Sequence, residues 1–277
     1  KNHTMRRGAL SRALSVSLAG ARAGGVFAID GALKRLRGEE AGDDARLDRE
    51  ARRFAQELGK LKGSYVKIGQ LFALLGEHFL PTPLTRALHE LEAETEALPW
   101  ADMGPHFRAA LGEQFDDLDI ETEALAAASL AQVHRARIKS TGHEVVLKAQ
   151  YPELAEVLDD DFNAVVRMLR LARWIPASRD IDSWLTTLHE QLHAEIDYPR
   201  EQAMARTFAN SLDHHPHLTE TEVALTVPQF WKDYCGPQVL TLDYVEGHRA
   251  GSPAVAALSQ STRNALGRLM LQLFFIE

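Results

Sequence analysis

The sequence has 277 residues, of which 45% are hydrophobic and 25% charged, as expected for a folded protein with a substantial core. Its 31 basic and 39 acidic residues give a net charge of -8, which argues against nucleic-acid binding. A single cysteine, Cys235, excludes an internal disulfide and a thiolate metal cluster, and it predicts a reducing compartment. No apolar run of about 18 residues is present, so no membrane-spanning helix is predicted.

Residues 1–44 are predicted to be an N-terminal extension and linker. Residues 1–40 are rich in Ala and Gly with scattered Arg, a pattern that predicts one or two weak amphipathic helices. Their basic side chains favour a solvated helix face, and contact with anionic lipid is the alternative. The polar residues 38–44 indicate a linker before the next helix.

Helical periodicity dominates residues 45–114, which we treat as a region of its own. Apolar side chains recur at three- and four-residue steps over 45–79, and this spacing predicts one long helix that two prolines end. Shorter helices are predicted over 84–95 and near 103–111.

Three residues of the predicted long helix stand out. Lys67 and Gln70 are three apart and therefore share a face. Gly69 costs roughly 1 kcal/mol in a helix interior, so we expect another element to pack closely against it. The plain alternative is a surface lysine and glutamine with no special role.

Two strands joined by a short turn are predicted at 132–138 and 144–150, where polar and apolar residues alternate or β-branched residues cluster. Lys148 lies in the second strand, within Val-Val-Leu-Lys. A lysine among residues that favour burial is costly unless its ammonium meets anions, such as nucleotide phosphates and a carboxylate. The alternative is an edge strand from which Lys148 reaches water.

A segment of small residues precedes this hairpin and consists of Ala126, Ala127, Ala128 and Ser129. Small side chains in a turn between strands allow backbone N–H groups to approach a phosphate closely. Alanine adopts positive φ less readily than glycine, so such a loop would be stiff. The plain alternative is a helix, the usual structure of an alanine run.

Several acids are predicted to lie on one helix over 183–212. Asp197 and Glu201 are four apart and share a face, whereas Glu195 and Asp197 do not. Pro199 lies between them and predicts a kink or a helix start. The alternative is an acidic face in water.

The remaining pattern completes the fold prediction. A helix is predicted over 153–174, two strands over 223–231 and 238–244, and a last helix from Pro253 to the chain end. Helices, a hairpin, helices, two strands and a helix together predict an α+β fold, in which a small antiparallel sheet packs on helices.

A competing motif is His189-Glu190-Gln191-Leu192-His193, which has the H-E-x-x-H spacing on a predicted helix. Two histidines four apart can bind zinc, with Glu190 as general base. A third ligand is required, for which Glu220 or Glu222 is a candidate. The acids Asp159, Asp160 and Asp161 are expected to form a helix face in water. This zinc hydrolase is the least favoured hypothesis because no third ligand is evident.

The order of these motifs resembles the UbiB (AarF) family of atypical, protein-kinase-like proteins. The matching segments are KIGQ at 67–70, AAASLAQVH at 126–134, VLK at 146–148, EIDY at 195–198 followed by Glu201, and LTLDYVEG at 240–247. They resemble that family's KxGQ signature, alanine-rich loop, strand lysine, ExD helix, and last small-lobe strand with its hinge.

The resemblance implies a protein-kinase-like small lobe over 115–247, after a helical extension that carries the KxGQ motif. It also implies that residues 248–277 start a C-terminal lobe that is largely missing. The cofactors implied are ATP and Mg²⁺, with the metal ligands and the catalytic loop beyond residue 277. As given, the chain is expected to bind nucleotide weakly and to turn over little or none.

The resemblance also implies roles for individual residues. Lys148 would hold ATP phosphates and pair with Glu201. The small residues Ala126, Ala127, Ala128 and Ser129 would cover the phosphates, and the backbone of Asp243, Tyr244 and Val245 would meet adenine. Lys67 and Gln70 would lie across the site where an ordinary kinase binds peptide, and Glu195 and Asp197 would anchor their helix through Lys67.

Two departures from the family pattern affect these roles. Ala131 replaces a common glycine, and Pro199 interrupts the ExD element, which bears on the position of Glu201. The family is associated with ubiquinone or other isoprenoid-lipid metabolism, so a cytoplasmic protein with peripheral contact to the inner membrane or its lipids is expected. The alternative function is a non-catalytic, kinase-like module that binds a partner or regulates one.

Overall fold

The computed structural model describes residues 43–91, 96–175, 178–212, 214–215, 218 and 223–275. The basic segment 1–40, with its predicted helices and lipid contact, lies outside these residues. So do Glu220 and Glu222, the candidate third zinc ligands.

The described residues confirm an α+β fold. The helices are α1 (Asp43–Leu61), α2 (Ser64–Leu75), α3 (Thr82–His89), α4 (Trp100–Leu111), α5 (Leu154–Leu171), α6 (Arg179–Ala194), α7 (Tyr198–Leu212), α8 (Pro253–Ala256) and α9 (Gln260–Phe274). The strands are β1 (Leu118–Ile120), β2 (Ala126–Ala127), β3 (Ala131–Ile138), β4 (Glu144–Gln150) and β5 (Val239–Asp243). Short 3₁₀ helices cover Gly112–Asp117 and Lys232–Tyr234.

These elements form two compact units. Of the described residues, the first includes those within 43–97, 127–132 and 150–196, and the second those within 98–126, 133–149 and 197–275. The domain boundaries expected after residues 44, 114 and 247 stay a prediction.

The first unit is a helical assembly in which α2 contacts α1, α3, α5 and α6. Its core is aromatic at the centre. The Phe72 ring lies 5.3 Å from Trp184 in an edge-on arrangement and 6.0 Å from Phe162. The indole nitrogen of Trp184 donates to the Leu75 carbonyl, which ties the end of α2 to α6.

The long helix predicted over 45–79 is wrong, because two helices occupy this segment. The chain breaks at Lys62 and Gly63, which both adopt φ near 58°. A left-handed conformation cannot continue an α-helix, and glycine reaches it at little cost. The apolar periodicity continues through the break, so the pattern alone does not reveal it.

Close packing at Gly69 is confirmed. A Cβ atom at this position would lie 2.5 Å from a Leu91 methyl carbon and 2.7 Å from one of Leu58. The glycine therefore lets α2 approach its neighbours within the first unit.

The sheet has the strand order β1-β3-β4-β5, and β2 pairs with β3 outside this order. Strand β4 lies between β3 and β5, and Lys148 is the register partner of Leu240. Val145, Leu147 and Ala149 are fully buried on one face, so Lys148 lies on the opposite face. The edge-strand alternative for Lys148 is thereby excluded. Strand β1 was not predicted, because three residues are too few to show a period.

In the second unit, a buried histidine links helix α4 to the sheet. His134 of β3 has no exposed surface, and its ring meets those of Trp100 and Phe107 at 5.6 and 5.3 Å. Its Nδ1–H donates to the Glu121 carbonyl at 2.7 Å. Burial lowers the pKa of His134, and this hydrogen bond opposes the effect only in part.

Three further predicted boundaries need correction. The strand over 223–231 is reduced to one bridge, Phe230 with Leu242, because Pro228 has no N–H with which to extend a ladder. The helix over 183–212 is divided into α6 and α7. The last helix is divided into α8 and α9, and the Ser259 hydroxyl accepts from the Thr262 N–H to begin α9.

Replacement of Gly69 by Ala is expected to destabilise the protein by about 1–3 kcal/mol, because the added methyl overpacks a filled space. The matched control is Gly267→Ala in α9, where a Cβ meets nothing within 4 Å. There the substitution is expected to stabilise by about 0.5–1 kcal/mol through helix propensity. Urea unfolding measures both. Equal effects at the two sites would contradict the packing argument.

The unfolding free energy is expected to fall as the pH drops below about 6.5, the ordinary histidine pKa, because the unfolded chain takes up the His134 proton more readily than the folded protein. A His134→Gln variant removes this contribution and should show a shallower pH dependence in urea titrations. The control is His248→Gln, which replaces an exposed histidine. If His134→Gln kept the wild-type pH dependence, burial of a neutral ring would not be the cause.

Candidate functional site

The central feature of the second unit is an ion pair between strand β4 and helix α7. Lys148 Nζ donates to both carboxylate oxygens of Glu201, at 2.9 and 2.8 Å. The two side chains are 34% and 41% exposed, so the pair is half-buried. The ion pair that the family resemblance implies is therefore present.

The start of α7 determines where Glu201 lies. The Asp197 side chain accepts from the Arg200 N–H at 3.0 Å and thereby caps the helix. Pro199 lies in the first turn, where its missing N–H costs nothing. Glu201 occupies the same turn, and a carboxylate there interacts favourably with the helix dipole. The helix start predicted at Pro199 is confirmed, whereas the placement of Glu195, Asp197 and Glu201 on one helix is wrong.

Tyr198 contacts the Lys148 ammonium with the face of its ring, a contact that the sequence did not predict. Its ring centroid lies 4.9 Å from Lys148 Nζ, within cation–π distance, and the residue is 1% exposed. Burial, and to a smaller extent the charge of Glu201, raise the pKa of Tyr198 above its usual value. The phenol therefore stays neutral beside the ion pair.

The small-residue segment forms a strand and turn rather than a helix. Ala126 and Ala127 form β2, and the Ala128 N–H donates to the Ala131 carbonyl at 2.8 Å. The Tyr151 hydroxyl donates to the Ala128 carbonyl, and Ser129 is buried. The turn is thus held by its own hydrogen bonds.

The predicted hinge follows strand β5. The Asp243 carboxylate accepts from the Trp231 indole and from the Gln229 N–H, at 2.9 and 3.0 Å. The Tyr244 N–H donates to the Glu144 carbonyl at 3.2 Å. Val245 comes after these contacts and is 65% exposed.

A second ion pair lies in the first unit. Lys67 Nζ of α2 is 2.8 Å from a Glu195 carboxylate oxygen, and the side chains are 22% and 35% exposed. Glu195 follows the end of α6, where a negative charge meets the negative end of the helix dipole. The positive charge of Lys67 compensates this negative charge. Of the two acids expected near Lys67, Glu195 forms this ion pair.

Gln70 lies beside Lys67 on the wall of a cleft in the first unit. Its side-chain amide donates to the Leu91 carbonyl at 3.1 Å. The cleft has a volume of about 580 Å³. The residues that line it are Lys67, Gln70, Leu71, Leu74, Leu75, His89, Leu91, Gln191 and Glu195.

Comparison with known proteins identifies the family. A family model described as the ABC1 atypical kinase-like domain matches residues 90–277. The chain belongs to this family. Its membership confirms the resemblance drawn from the motifs.

Individual relatives of the ABC1 family agree. The chain is 28% identical over 249 residues to the mitochondrial atypical kinase COQ8 of Schizosaccharomyces pombe, covering 88% of this chain and 39% of that protein. It is 28% identical over 245 residues to the probable protein kinase UbiB of Cronobacter sakazakii, covering 84% and 42%. The chain therefore spans about two fifths of the length of these relatives.

Among solved structures, the chain is similar to the Rv3197–erythromycin complex from Mycobacterium tuberculosis. The identity is 27%, with a TM-score of 0.49, over 76% of this chain and 51% of that one. In the part of the chain that the structure describes, no helix is long and apolar enough to cross a membrane.

The two histidines of the H-E-x-x-H motif lie in the first unit, on α6. Both Nε2 atoms contact the same oxygen of Asp159, at 2.8 Å for His189 and 2.7 Å for His193. These hydrogen bonds lower the pKa of Asp159. Asp159 is exposed, as expected, but it also contacts these two histidines, which the sequence did not indicate. Asp161 also has a partner, since it accepts a hydrogen bond from Ser64.

Gln150 is a further residue that sequence reasoning missed. Its side chain is 2% exposed and donates to the Ile196 carbonyl in the segment that follows α6. A polar residue at the end of an apolar strand was the available signal, because a buried amide requires a partner.

The Lys67–Glu195 pair is expected to have a coupling energy of roughly 0.5–1 kcal/mol, as befits a partly exposed pair. A double-mutant cycle with Lys67→Met and Glu195→Gln, followed by urea unfolding, measures it. The coupling should weaken at high salt. The same cycle on the exposed pair Lys60–Glu57 serves as control and should give a smaller value. A coupling of zero at Lys67 would show that the contact contributes nothing to stability.

Proposed function

We propose that this chain is the nucleotide-binding part of an atypical, UbiB-type kinase or ATPase. The observation that carries the proposal is the ion pair between Lys148, on the central strand β4, and Glu201, on helix α7. Family membership supports it, because kinase-like proteins use a strand lysine, oriented by a helix glutamate, to hold the α- and β-phosphates of ATP.

The geometry of Lys148 suits a phosphate ligand. An ammonium group has three N–H donors, and two of these point to Glu201. With the side chain one-third exposed, the third donor has room to meet a phosphate oxygen. Glu201 and the Tyr198 ring fix the position of the charge before any ligand arrives, which lowers the ordering cost of binding.

Backbone groups of the hinge and of the small-residue segment are the proposed contacts for adenine and for the phosphates. The N–H groups of Asp243 and Tyr244 already donate to Gln229 and Glu144. We therefore propose that adenine forms hydrogen bonds with the backbone N–H of Val245 or with the backbone carbonyl oxygens of Asp243, Tyr244 and Val245. In the small-residue segment the Ala128 N–H is likewise engaged, so we propose that Ala126, Ala127 and Ser129 provide the backbone surface over the phosphates.

We propose positioning roles for Lys67, Gln70, Glu195 and Asp197, which lie in the motifs that resemble those of the family. Lys67 and Glu195 hold α2 to the end of α6, and Gln70 anchors the Leu91 carbonyl. Asp197 acts through the cap of α7, which carries Glu201. Mg²⁺ would enter with the nucleotide and neutralise its phosphates.

The proposed context is ubiquinone or isoprenoid-lipid metabolism, with the protein in the cytoplasm and peripheral to the inner membrane. This context rests on the family resemblance. It predicts an output directed at a lipid rather than at a protein substrate.

The direct test is ATP–Mg²⁺ binding by the chain, measured by calorimetry and by thermal shift. Lys148→Ala is expected to weaken binding by about 10- to 100-fold, because a charge-assisted hydrogen bond contributes about 1.5–3 kcal/mol. Glu201→Gln should weaken it less, since the lysine remains but loses its orienting charge.

Lys60→Ala serves as the matched control, because it removes the same charge from an exposed position on α1. Its affinity for ATP should equal that of the wild type. If the wild type gave neither heat nor thermal shift at ATP–Mg²⁺ concentrations high enough to detect weak binding, the nucleotide proposal would fail, and a non-catalytic partner-binding module would be the better explanation.

A further inference from the structure

Asp159, His189 and His193 form a cluster at the surface of the first unit. His189 and His193 are four residues apart on α6 and therefore lie on one face, and Asp159 comes from α5. All three possible ligand atoms lie within 4.8 Å of one another. The imidazole rings are 4.5 Å apart at their centroids.

We propose that this cluster binds a divalent transition-metal ion, with Zn²⁺ as the best match. Two imidazole nitrogens and one carboxylate oxygen make up a common zinc ligand set, and the remaining position would be filled by water. The Asp159 carboxylate supplies the third ligand that the sequence motif lacked.

The observed distances are close to those that an ion requires. Ligand atoms about 2.0–2.2 Å from a tetrahedral zinc ion are roughly 3.3 Å apart. The two Nε2 atoms now lie 2.8 and 2.7 Å from the Asp159 oxygen, so an ion needs this cluster to widen by about half an ångström. The side chains are 37–56% exposed, which leaves them room to do so.

The ion would take the place of the two hydrogens that now lie between the histidine Nε2 atoms and the Asp159 oxygen. A carboxylate oxygen only accepts, so each hydrogen bond requires a proton on Nε2. Zinc would take the Nε2 lone pairs, so each ring would carry its proton on Nδ1 when the ion is bound. The Phe162 ring, edge-on to His189 at 5.2 Å, restricts that imidazole. Asp160, exposed beside Asp159, adds negative charge that attracts a cation.

The chemistry of the ligands indicates which metal the site would bind and whether the ion would be structural or catalytic. Nitrogen ligands suit Zn²⁺ and its transition-metal neighbours, whereas Mg²⁺ requires oxygen ligands. The site is therefore distinct from one that would serve a Mg²⁺–nucleotide. Glu190 is exposed and is not among the residues that the structure brings together here, so we assign it no catalytic role. The ion would link α5 to α6 rather than hydrolyse a substrate.

The test uses the whole chain without a polyhistidine tag, after removal of bound metal by chelation. Calorimetric titration with Zn²⁺ and thermal unfolding with and without Zn²⁺ are measured for each variant. Asp159→Asn, His189→Ala and His193→Ala each remove one ligand. We expect each to weaken binding by more than about 100-fold, the upper range for loss of an outer-shell partner. The zinc-dependent rise in unfolding temperature should disappear with it.

Two control variants should bind Zn²⁺ like the wild type. Glu190→Gln changes the motif without touching the cluster, and His248→Ala removes an exposed histidine outside it. Mg²⁺ in place of Zn²⁺ should give no shift. Co²⁺ should give visible absorption bands that Asp159→Asn abolishes, which identifies this site even if a histidine variant fails to fold.

Either of two results would overturn the proposal. If the wild type bound no Zn²⁺, the cluster would be a hydrogen-bonded contact only. If the three ligand variants bound Zn²⁺ as tightly as Glu190→Gln, the ion would lie elsewhere on the chain.

Discussion

The ion pair between Lys148 and Glu201 is the interaction on which the account of this protein depends. Lys148 lies on a central strand and its side chain is only one-third exposed, so an anion nearby stabilises its charge. Glu201 supplies that anion, and Tyr198 adds the face of a neutral ring. The pair is half-buried, so it also leaves room for a ligand, and this accessibility makes it a candidate binding group rather than a structural contact alone.

The position of Glu201 follows from a short sequence with several constraints. Asp197 caps α7, and the first turn accommodates Pro199 because no N–H is needed there. Glu201 stabilises the same turn through its negative charge. Within the second unit, α7 contacts β5, the strand next to β4. Pro199, which interrupts the acidic motif in the sequence, is therefore part of the reason that the helix begins where it does.

Local alternation of polar and apolar residues predicted the α+β fold, the β3–β4 hairpin and strand β5. The same pattern identified Lys148 as a charge that needs an anion, whereas Glu201 as its partner was implied by the family resemblance. The sequence did not predict the break at Lys62 and Gly63, because apolar periodicity continues across it. The expected strand near Phe230 is only a bridge, since Pro228 cannot extend a ladder.

Side-chain contacts between distant segments were the hardest to predict. The sequence offered Glu220 and Glu222 as partners for His189 and His193, whereas the structure brings Asp159 to them from α5. Tyr198 and Gln150 are similar cases. Each is an unremarked polar or aromatic residue whose importance comes from burial, and burial is decided by the tertiary fold.

The most direct measurement is an experimental structure of the chain with a non-hydrolysable ATP analogue. We predict that Lys148 Nζ stays within hydrogen-bond distance of Glu201, roughly 3 Å, and meets an oxygen of the α- or β-phosphate at a similar distance. An analogue bound away from Lys148, or a Lys148 that has left Glu201 and contacts no phosphate, would contradict the central claim.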